Sequence, residues 1–266
     1  MQIYTILSTL QISIEKRTVL DLSSIQPTIN FAPKNSSLII QSMRTISVHT
    51  ILLLALAFCG ISATKAQTPL SASKLTVSGK IGYNNYVDMG LPSGLKWATC
   101  NVGAISPTGP GNYYAWGETV TKHNYSTDTS KTHRVKGLHN IGGTDLDVAA
   151  VYMGDSWRMP SLENVQELID NCKHTFVTID GVTGMLFESK KNGNTLFLPA
   201  SGFASPSQGV RFAGESGWYW TDTDWPSPYS STADTAANTL FFNNSGKAEA
   251  GNTFRCYGLT VRAVSY

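Results

Sequence analysis

The sequence predicts an α+β fold of short antiparallel sheets with two helices and a loop-rich C-terminal half. Three observations predict it. The chain of 266 residues contains 23 glycines and 11 prolines, which favour short strands and many turns over a helical bundle. Segment 184–202 places Asn192-Gly193 between two apolar runs, which is the pattern of a β-hairpin. Two other segments carry apolar residues at helical spacing.

The clearer of the two helices is expected directly after Pro160. Ser161 can cap the sequence LENVQELIDNC, Glu163 lies in its first turn, and apolar residues recur every three or four positions. A shorter helix is predicted at 146–153, capped by Asp145 or Asp147 and ended by a glycine.

Short strands are expected to form most of the remaining structure. Asp180-Gly181 predicts a turn just before the hairpin. The last segment, 254–266, is predicted to be a central strand because Leu259, Val261 and Ala263 alternate with polar residues. Residues 119–144 are polar and are predicted to form a long surface loop. The other strand-like runs are KLTVSG (74–79), LKWATCNV (95–102), GNYYAWGE (111–118), GWYWTDT (217–223) and NTLFFNN (238–244).

The N-terminal region has the pattern of a secretory signal peptide. Residues 51–63 form an apolar run that is shorter than a membrane span, with Arg44 before it and small residues after it. The signal peptide is therefore placed at 43–66, with cleavage between Ala66 and Gln67. Localisation is then secreted or at the cell surface, without a stable membrane span after cleavage.

Two alternatives to this signal peptide remain open, namely a buried hydrophobic helix and a lipoprotein signal at Cys59. The bulky Phe58 before that cysteine argues against the lipoprotein signal. Residues 1–42 are either an artefact of the gene model, with Met43 as the true start, or an extended n-region. Residues 67–79 form a polar leader, and residues 80–266 form the folded domain.

The charge balance excludes partners that bind by strong electrostatic attraction. Charged residues make up only 14% of the chain, and the formal charge is +2. Residues 1–66 hold five Lys or Arg and two Asp or Glu, so the remaining chain holds 15 and 16. A near-neutral domain implies no nucleic-acid or anionic-membrane partner.

The cysteines and histidines predict neither a disulfide framework nor a metal site. Cys100, Cys172 and Cys256 remain after cleavage and can form at most one bridge. They are too far apart, and too poorly accompanied by histidine, for a zinc site. His123, His133 and His139 fall in the polar loop 119–144 and are interpreted as surface residues. No cofactor is predicted, and the sequence contains no catalytic motif such as Gly-x-Ser-x-Gly.

Seven blocks of sequence follow one another between residues 86 and 264. They are YVDMGLPSGLKWATCNVGA (86–104), YYAWGET (113–119), SWRMPSLENVQELI (156–169), GVTGMLFES (181–189), NTLFLPASGF (194–203), GWYWTDT (217–223) and YGLTVRAV (257–264). In order and approximate spacing these blocks resemble the Fibrobacter succinogenes major paralogous domain family, and the match covers nearly all of residues 80–266. The resemblance implies a C-type-lectin-like fold that is also similar to formylglycine-generating enzymes. It further implies a secreted or surface protein of a gut or oral bacterium.

The chain departs from the functional motifs of both related groups. Calcium-dependent lectins carry a Glu-Pro-Asn or Gln-Pro-Asp loop with a Trp-Asn-Asp strand, and this sequence has neither. Formylglycine-generating enzymes use a cysteine-based copper site, which the isolated Cys256 does not reproduce. The resemblance therefore implies a fold without assigning an activity.

The aromatic and polar residues divide into a core set and a candidate binding set. Trp97, Trp116, Trp157 and Trp220 lie beside apolar or glycine neighbours and are expected in the core, with Arg158 as a structural residue. Trp225 lies in an irregular polar loop, where it could stack on a ligand or fold back over the core. Tyr, Asn, Ser and Asp suit adaptable recognition loops. The candidate ligand-binding residues are Asp222, Asp224, Trp225, Tyr229, Asn243, Asn244, Asn252 and Tyr257.

The function favoured by these patterns is calcium-independent binding of an extracellular protein or glycan through residues 218–257. The first alternative is a structural or tip subunit of a surface or pilus assembly. The second is a copper- or thiol-dependent oxidase that acts through Cys256. The sequence predicts a protein that is not an enzyme, because no nucleophile and base occur together in a recognisable motif.

Overall fold

The computed structural model describes residues 70–266 except for 155, 207, 228, 230 and 231. The described residues belong to one compact unit of the chain. The expectations for residues 1–69, which include the signal peptide, its cleavage site and the start of the leader, lie outside them. Among the helices of the described part, none combines the length and apolar character needed to cross a membrane.

The described residues form mostly antiparallel sheets with two α-helices, which confirms the predicted α+β class. The strands are β1 (Gly79–Ile81), β2 (Asn84–Asp88), β3 (Lys96–Ala98), β4 (Cys172–Ile179), β5 (Val182–Ser189), β6 (Thr195–Pro199), β7 (Phe203–Ser205), β8 (Gly209–Arg211), β9 (Ser216–Asp224), β10 (Ala236–Asn243), β11 (Ala248–Phe254) and β12 (Val264–Ser265). The helices are α1 (Val148–Met153) and α2 (Leu162–Asn171).

These strands form four separate sheets. The first has the order β1-β2-β3-β12, so the earliest and the last strands of the described chain share a sheet. The second has the order β4-β5-β6 and the third β9-β10-β11, while β7 and β8 form a two-stranded hairpin. All of these pairings are antiparallel.

Both predicted helices form, although α1 begins at Val148, two residues later than predicted, and α2 ends at Asn171, one residue earlier. Ser161 accepts a hydrogen bond from the backbone N–H of Asn164, whose side chain in turn accepts one from the N–H of Ser161. Asp147, rather than Asp145, caps α1. Gly154 ends that helix with a φ of +65°, a conformation that glycine adopts without steric cost.

The two predicted turns are also confirmed. Asp180 and Gly181 both have positive φ and join β4 to β5, as a two-residue hairpin turn requires. Gly193, with a φ of +73°, lies in the turn between β5 and β6.

Three predicted strands are wrong or misplaced. Run 111–118 forms only an isolated bridge, from Tyr114 to Leu259. Run 74–79 begins in a short 3-10 helix (Ala72–Lys74) and enters a strand only at Gly79. The final run 254–266 is regular only at the end of β11 and in the two residues of β12.

The segment 255–265, here called the terminal segment, is central without being a regular strand. All of its residues are buried except Tyr257, which is half-buried. Its backbone makes single bridges to several separate parts of the chain, so the alternation of apolar and polar residues does not define two faces. The partners of these bridges are Tyr114, Arg158, Ala204 and Tyr219.

Sheet β9-β10-β11 separates two hydrophobic clusters. On β9, Tyr219 lies in one cluster and Trp220 in the other, because successive side chains of a strand point to opposite faces of the sheet. Trp97 lies in the first cluster, and Trp116 and Trp157 lie in the second.

The four tryptophans expected in the core are all fully buried. Three of their indole N–H groups donate to backbone carbonyls: Trp116 to Thr221, Trp157 to Ile81 and Trp220 to Tyr114. Arg158 is half-buried and lies over the ring of Tyr266, with its guanidinium carbon 4.3 Å from the ring centroid.

Candidate binding surface

Six aromatic side chains form a connected series of ring-to-ring contacts at one surface of the domain. Ring centroids are 4.4 Å apart for Phe241 and Trp218, 5.6 Å for Trp218 and Phe203, and 5.3 Å for Phe203 and Tyr257. Phe254 meets Tyr257 at 5.7 Å, and Phe212 meets Phe203 at 5.9 Å. None of the six is fully buried, and Phe212 and Phe254 are each 45% exposed. We call this set the aromatic row.

Three parts of the fold supply the aromatic row, namely the sheet β9-β10-β11, the hairpin β7-β8 and the terminal segment. Trp218 and Phe241 are directly opposite each other on β9 and β10, where cross-strand pairs interact most strongly. Phe203 lies on β7, and Phe212 directly follows β8. Tyr257 lies in the terminal segment, and its ring stacks on Phe203 with an interplanar angle of 22°.

A cavity of about 460 Å³ lies at the Tyr257 end of the aromatic row. Its volume falls within the range of roughly 300–1,000 Å³ that is usual for small-ligand pockets. The lining contains aromatic rings, hydroxyl groups, one arginine and one histidine. The lining residues are Ser126, Thr127, His133, Arg134, Pro206, Thr232, Thr235, Phe254, Cys256 and Tyr257.

One wall of this cavity comes from the polar loop 119–144, and a buried arginine holds that loop in place. Arg255 is fully buried and donates to the carbonyl oxygens of Thr132, Val135 and Leu138, all within the loop. Its guanidinium also lies over the Trp116 ring, 4.4 Å from the centroid. The loop is therefore packed onto the domain, which the sequence-based description of a surface loop did not include.

Asp222 and Asp224, both expected to bind ligand, contact the protein instead. Asp222 is only 8% exposed, and a Cβ atom at Gly142 would clash with its carboxylate. Burial raises the pKa of Asp222. The carboxylate of Asp224 lies 3.1 Å from Nδ1 of His139 and 4.0 Å from the Arg255 guanidinium. The structure thus removes Asp222 from the candidate ligand surface and places Asp224 beneath the loop 119–144.

Trp225 and Tyr229 are positioned differently from each other. Trp225 is half-buried, and its backbone N–H donates to the carbonyl of Ala236. Tyr229 is 68% exposed. Neither lines the cavity, and neither belongs to the aromatic row.

The three candidate asparagines do not form one cluster. Asn252 is exposed on β11, directly opposite Asn238, whereas Asn243 ends β10 and Asn244 lies in the turn that follows. Asn243 follows Asn238 by five positions, which corresponds to about 17 Å along β10. Of the eight candidate residues, only Tyr257 joins both the aromatic row and the cavity.

Part of the aromatic row was readable from the sequence. In Phe241-Phe242 the two rings must lie on opposite faces of the sheet, because successive side chains of a strand alternate. The same rule separates Trp218 from Tyr219. The contact of Phe203 with Tyr257 depends on the path of the terminal segment, and no local signal reveals it.

A second, smaller cavity lies near β2 and β3. Its volume is about 310 Å³, and the half-buried Cys100 is part of its lining. Tyr83 and Ile105 line it while being almost completely exposed. All three cysteines of the described chain are free thiols, and none of its His, Cys, Asp and Glu residues form a group of three or more suited to a metal ion.

Comparison with protein-family models, curated proteins and solved structures gave no match for this chain. The candidate surface is therefore interpreted from its own geometry.

Proposed function

We propose that this chain is an extracellular binding module that recognises a glycan through the aromatic row and the adjoining cavity. The observation that carries the proposal is the unbroken contact from Phe241 to Phe254 along the surface, which ends in a cavity rich in hydroxyl groups. Single exposed aromatic side chains need no explanation, but contiguous apolar surface is typical of a binding site, and the partly exposed rings of the row connect its two exposed members, Phe212 and Phe254.

The chemistry of this surface suits a saccharide. The C–H faces of a sugar ring are apolar and can pack against an aromatic ring, while its hydroxyl groups need hydrogen-bonding partners. Tyr257 and Phe254 supply rings at the cavity, and four Ser and Thr residues supply hydroxyl groups there. The lining residues include no carboxylate, which is the ligand that calcium prefers, so the proposed binding is calcium-independent.

The proposed fold is C-type-lectin-like, following the resemblance of the seven sequence blocks. The closure of the first sheet supports it, since β12 at the end of the chain pairs with β3 in the sheet that β1 begins. Secretion after cleavage at Ala66 remains part of this proposal.

The test is binding to an array of glycans by the purified protein and two alanine variants, F254A and Y257A. Both variants remove a ring that lines the cavity, and we expect each to weaken binding by at least about tenfold. Y83A is the matched control, because Tyr83 is 99% exposed and lies at the other cavity. Melting temperatures of all variants separate loss of binding from loss of folding.

Two results would contradict the proposal. The first is binding of no glycan by the parent protein. The second is glycan binding that F254A and Y257A leave unchanged while Trp225→Ala abolishes it without lowering the melting temperature. That second outcome would place the binding site in the polar loop around Trp225, as predicted from the sequence.

The alternative of a structural subunit in a surface assembly is supported by a separate observation. Tyr83 and Ile105 are almost completely exposed at the rim of the 310 Å³ cavity, and large exposed apolar side chains are common in protein interfaces. A pull-down that recovers assembly proteins with the parent chain but not with Y83A would favour this function.

The oxidase alternative has less support from the site. Cys256 is 2% exposed, and burial raises the pKa of its thiol. Both features disfavour the thiolate that a reactive or copper-binding cysteine needs. The binding function therefore accounts for more of the observed surface than thiol chemistry does.

A further inference from the structure

We propose that the 460 Å³ cavity holds the carboxylate-bearing sugar of an acidic saccharide, with Arg134 as the residue that pairs with the carboxylate. This inference rests on the glycan binding proposed above and adds the charge of the ligand. The observations that carry it are the charge of the cavity lining, the lack of a partner for the Arg134 guanidinium among the described residues, and the backbone conformation of Arg134.

Arg134 is the cation available in this cavity. It lines the cavity and is exposed, and its guanidinium forms no hydrogen bond or ion pair with the residues that the structure describes. The acidic residues Asp128 and Asp234 lie near lining residues in sequence, but neither lines the cavity. An unpaired guanidinium presents a fork of N–H donors that matches a carboxylate.

The backbone holds Arg134 in a conformation that side-chain-bearing residues rarely adopt. Its φ is +62°, and its N–H donates to the carbonyl of Asp234, whose φ is +58°. Glycine adopts such a conformation without steric cost, so an arginine here costs stability. The presence of a long cationic side chain at a strained position beside a cavity points to a role in binding.

The rest of the lining suits a single carboxylate and several hydroxyl groups. Burial and the neighbouring Arg134 guanidinium lower the pKa of His133, so its ring is neutral near pH 7. One positive charge therefore remains to meet one negative charge. Ser126, Thr127, Thr232 and Thr235 can exchange hydrogen bonds with sugar hydroxyl groups, and no lining carboxylate would repel the ligand.

The experiment compares oligosaccharides that contain glucuronate or galacturonate with the neutral glucose and galactose counterparts, by titration calorimetry on the purified protein. We expect the acidic ligands to bind about tenfold more tightly, as one charge-assisted contact contributes. This preference should shrink at about 1 M salt, where screening extends over only about 3 Å.

Two variants and one matched control assign the preference to Arg134. R134Q should remove the preference for acidic ligands, so that each acidic ligand binds no more tightly than its neutral counterpart. R134G should do the same and melt no lower than the parent protein, because glycine relieves the positive φ. K136Q makes the same change of charge two residues away, on an exposed side chain outside the lining, and should keep the preference.

The failures of the two proposals are distinguishable. Equal binding of acidic and neutral ligands, or a preference that R134Q leaves intact, would overturn the acidic subsite while glycan binding stands. Binding of no saccharide at all would overturn both. Binding of acidic peptides without any saccharide would reject the assigned ligand class.

Discussion

Asp147 organises three parts of the chain through one carboxylate. Its two oxygens accept hydrogen bonds from the backbone N–H groups of Gly143, Ala149, Ala150 and Met159, at 2.8–3.2 Å. It is fully buried, so each of these donors would lack a partner without it. The residue thus caps α1 and also joins that helix to the chain before and after it.

The variant D147N tests this role. An asparagine replaces one oxygen by an NH₂ group, which would then face two N–H donors instead of accepting from them. We expect the free energy of unfolding to fall by about 2 kcal/mol or more. Chemical denaturation followed by circular dichroism measures the change.

D222N is the matched control, since Asp222 is also buried but accepts a side-chain hydrogen bond only from the Thr223 hydroxyl. Burial raises the pKa of Asp222, so the folded state binds a proton more tightly than the unfolded state does. This carboxyl group therefore lowers stability as the pH rises through the interval between its unfolded and folded pKa values. We expect D222N to be as stable as the parent protein at pH 7 or more so, and a loss equal to that of D147N would contradict this.

For single residues, the sequence predicted which side chains are buried better than it predicted which are exposed. The four core tryptophans have apolar or glycine neighbours, and that local pattern is enough to indicate packing. Surface polarity is a weaker guide, because a polar residue such as Asp222 can be buried when another part of the chain covers it. Which parts come together depends on the tertiary fold.

The loop 119–144 depends on Arg255 in the same way that α1 depends on Asp147. Besides its three carbonyl contacts in the loop, Arg255 donates from Nε to the carbonyl of Ala236 at 3.0 Å. Lys122 adds an ion pair with the buried Glu118, at 2.6 Å. These contacts fix the wall of the cavity, and a prearranged wall would lower the entropy cost of the proposed glycan binding.

We expect R255M to release this loop. Methionine fills part of the space but removes the Arg255 donor from four carbonyl oxygens. Those of Ala236 and Thr132 keep a backbone N–H donor, whereas those of Val135 and Leu138 keep no donor among the described residues. The free energy of unfolding should therefore fall by about 3 kcal/mol. Trypsin should then cleave after Lys131, Arg134 or Lys136 at least about tenfold faster, as gel or mass analysis would show. R211M removes an exposed arginine and should leave the cleavage rate unchanged; equal rates for R255M and the parent protein would mean that other contacts hold the loop.

Elements with strong local signals were predictable, and elements defined by distant partners were not. The cap at Ser161 and the turns at Asp180-Gly181 and Asn192-Gly193 act within a few residues, so the sequence alone located them. β4 was missed because it directly follows α2, with no turn between them. The terminal segment was misjudged because both of its sides are covered, so alternation carries no information about exposure.

At the scale of the whole domain, β12 closes the fold by pairing with β3 of the first sheet. Val264 pairs with Trp97 across β12 and β3 and exchanges two backbone hydrogen bonds with Arg158, each 2.9 Å long. Arg262, also fully buried, donates to Asn101 at 2.8 Å and to the carbonyl of Ala98 at 3.2 Å. The last residues therefore join the first sheet to the second hydrophobic cluster.

Deletion of residues 264–266 tests this closure. Loss of a fully buried valine and two hydrogen bonds should lower the melting temperature by about 10 °C, given a shift of roughly 2–4 °C per kcal/mol for a domain of this size. Deletion of Tyr266 alone, which is 66% exposed, should lower it by only a few degrees. Similar melting temperatures for the parent protein and the three-residue deletion would show that closure does not need β12.

The central position of the terminal segment also sets the order of folding. Arg262 meets a partner 164 residues earlier in the sequence, and such distant pairings form late and slowly. Residues 255–265 fill the centre of the domain and bridge to Tyr114, Arg158, Ala204 and Tyr219. A fragment that stops before residue 255 lacks all four of these pairings, so we expect it not to complete the core.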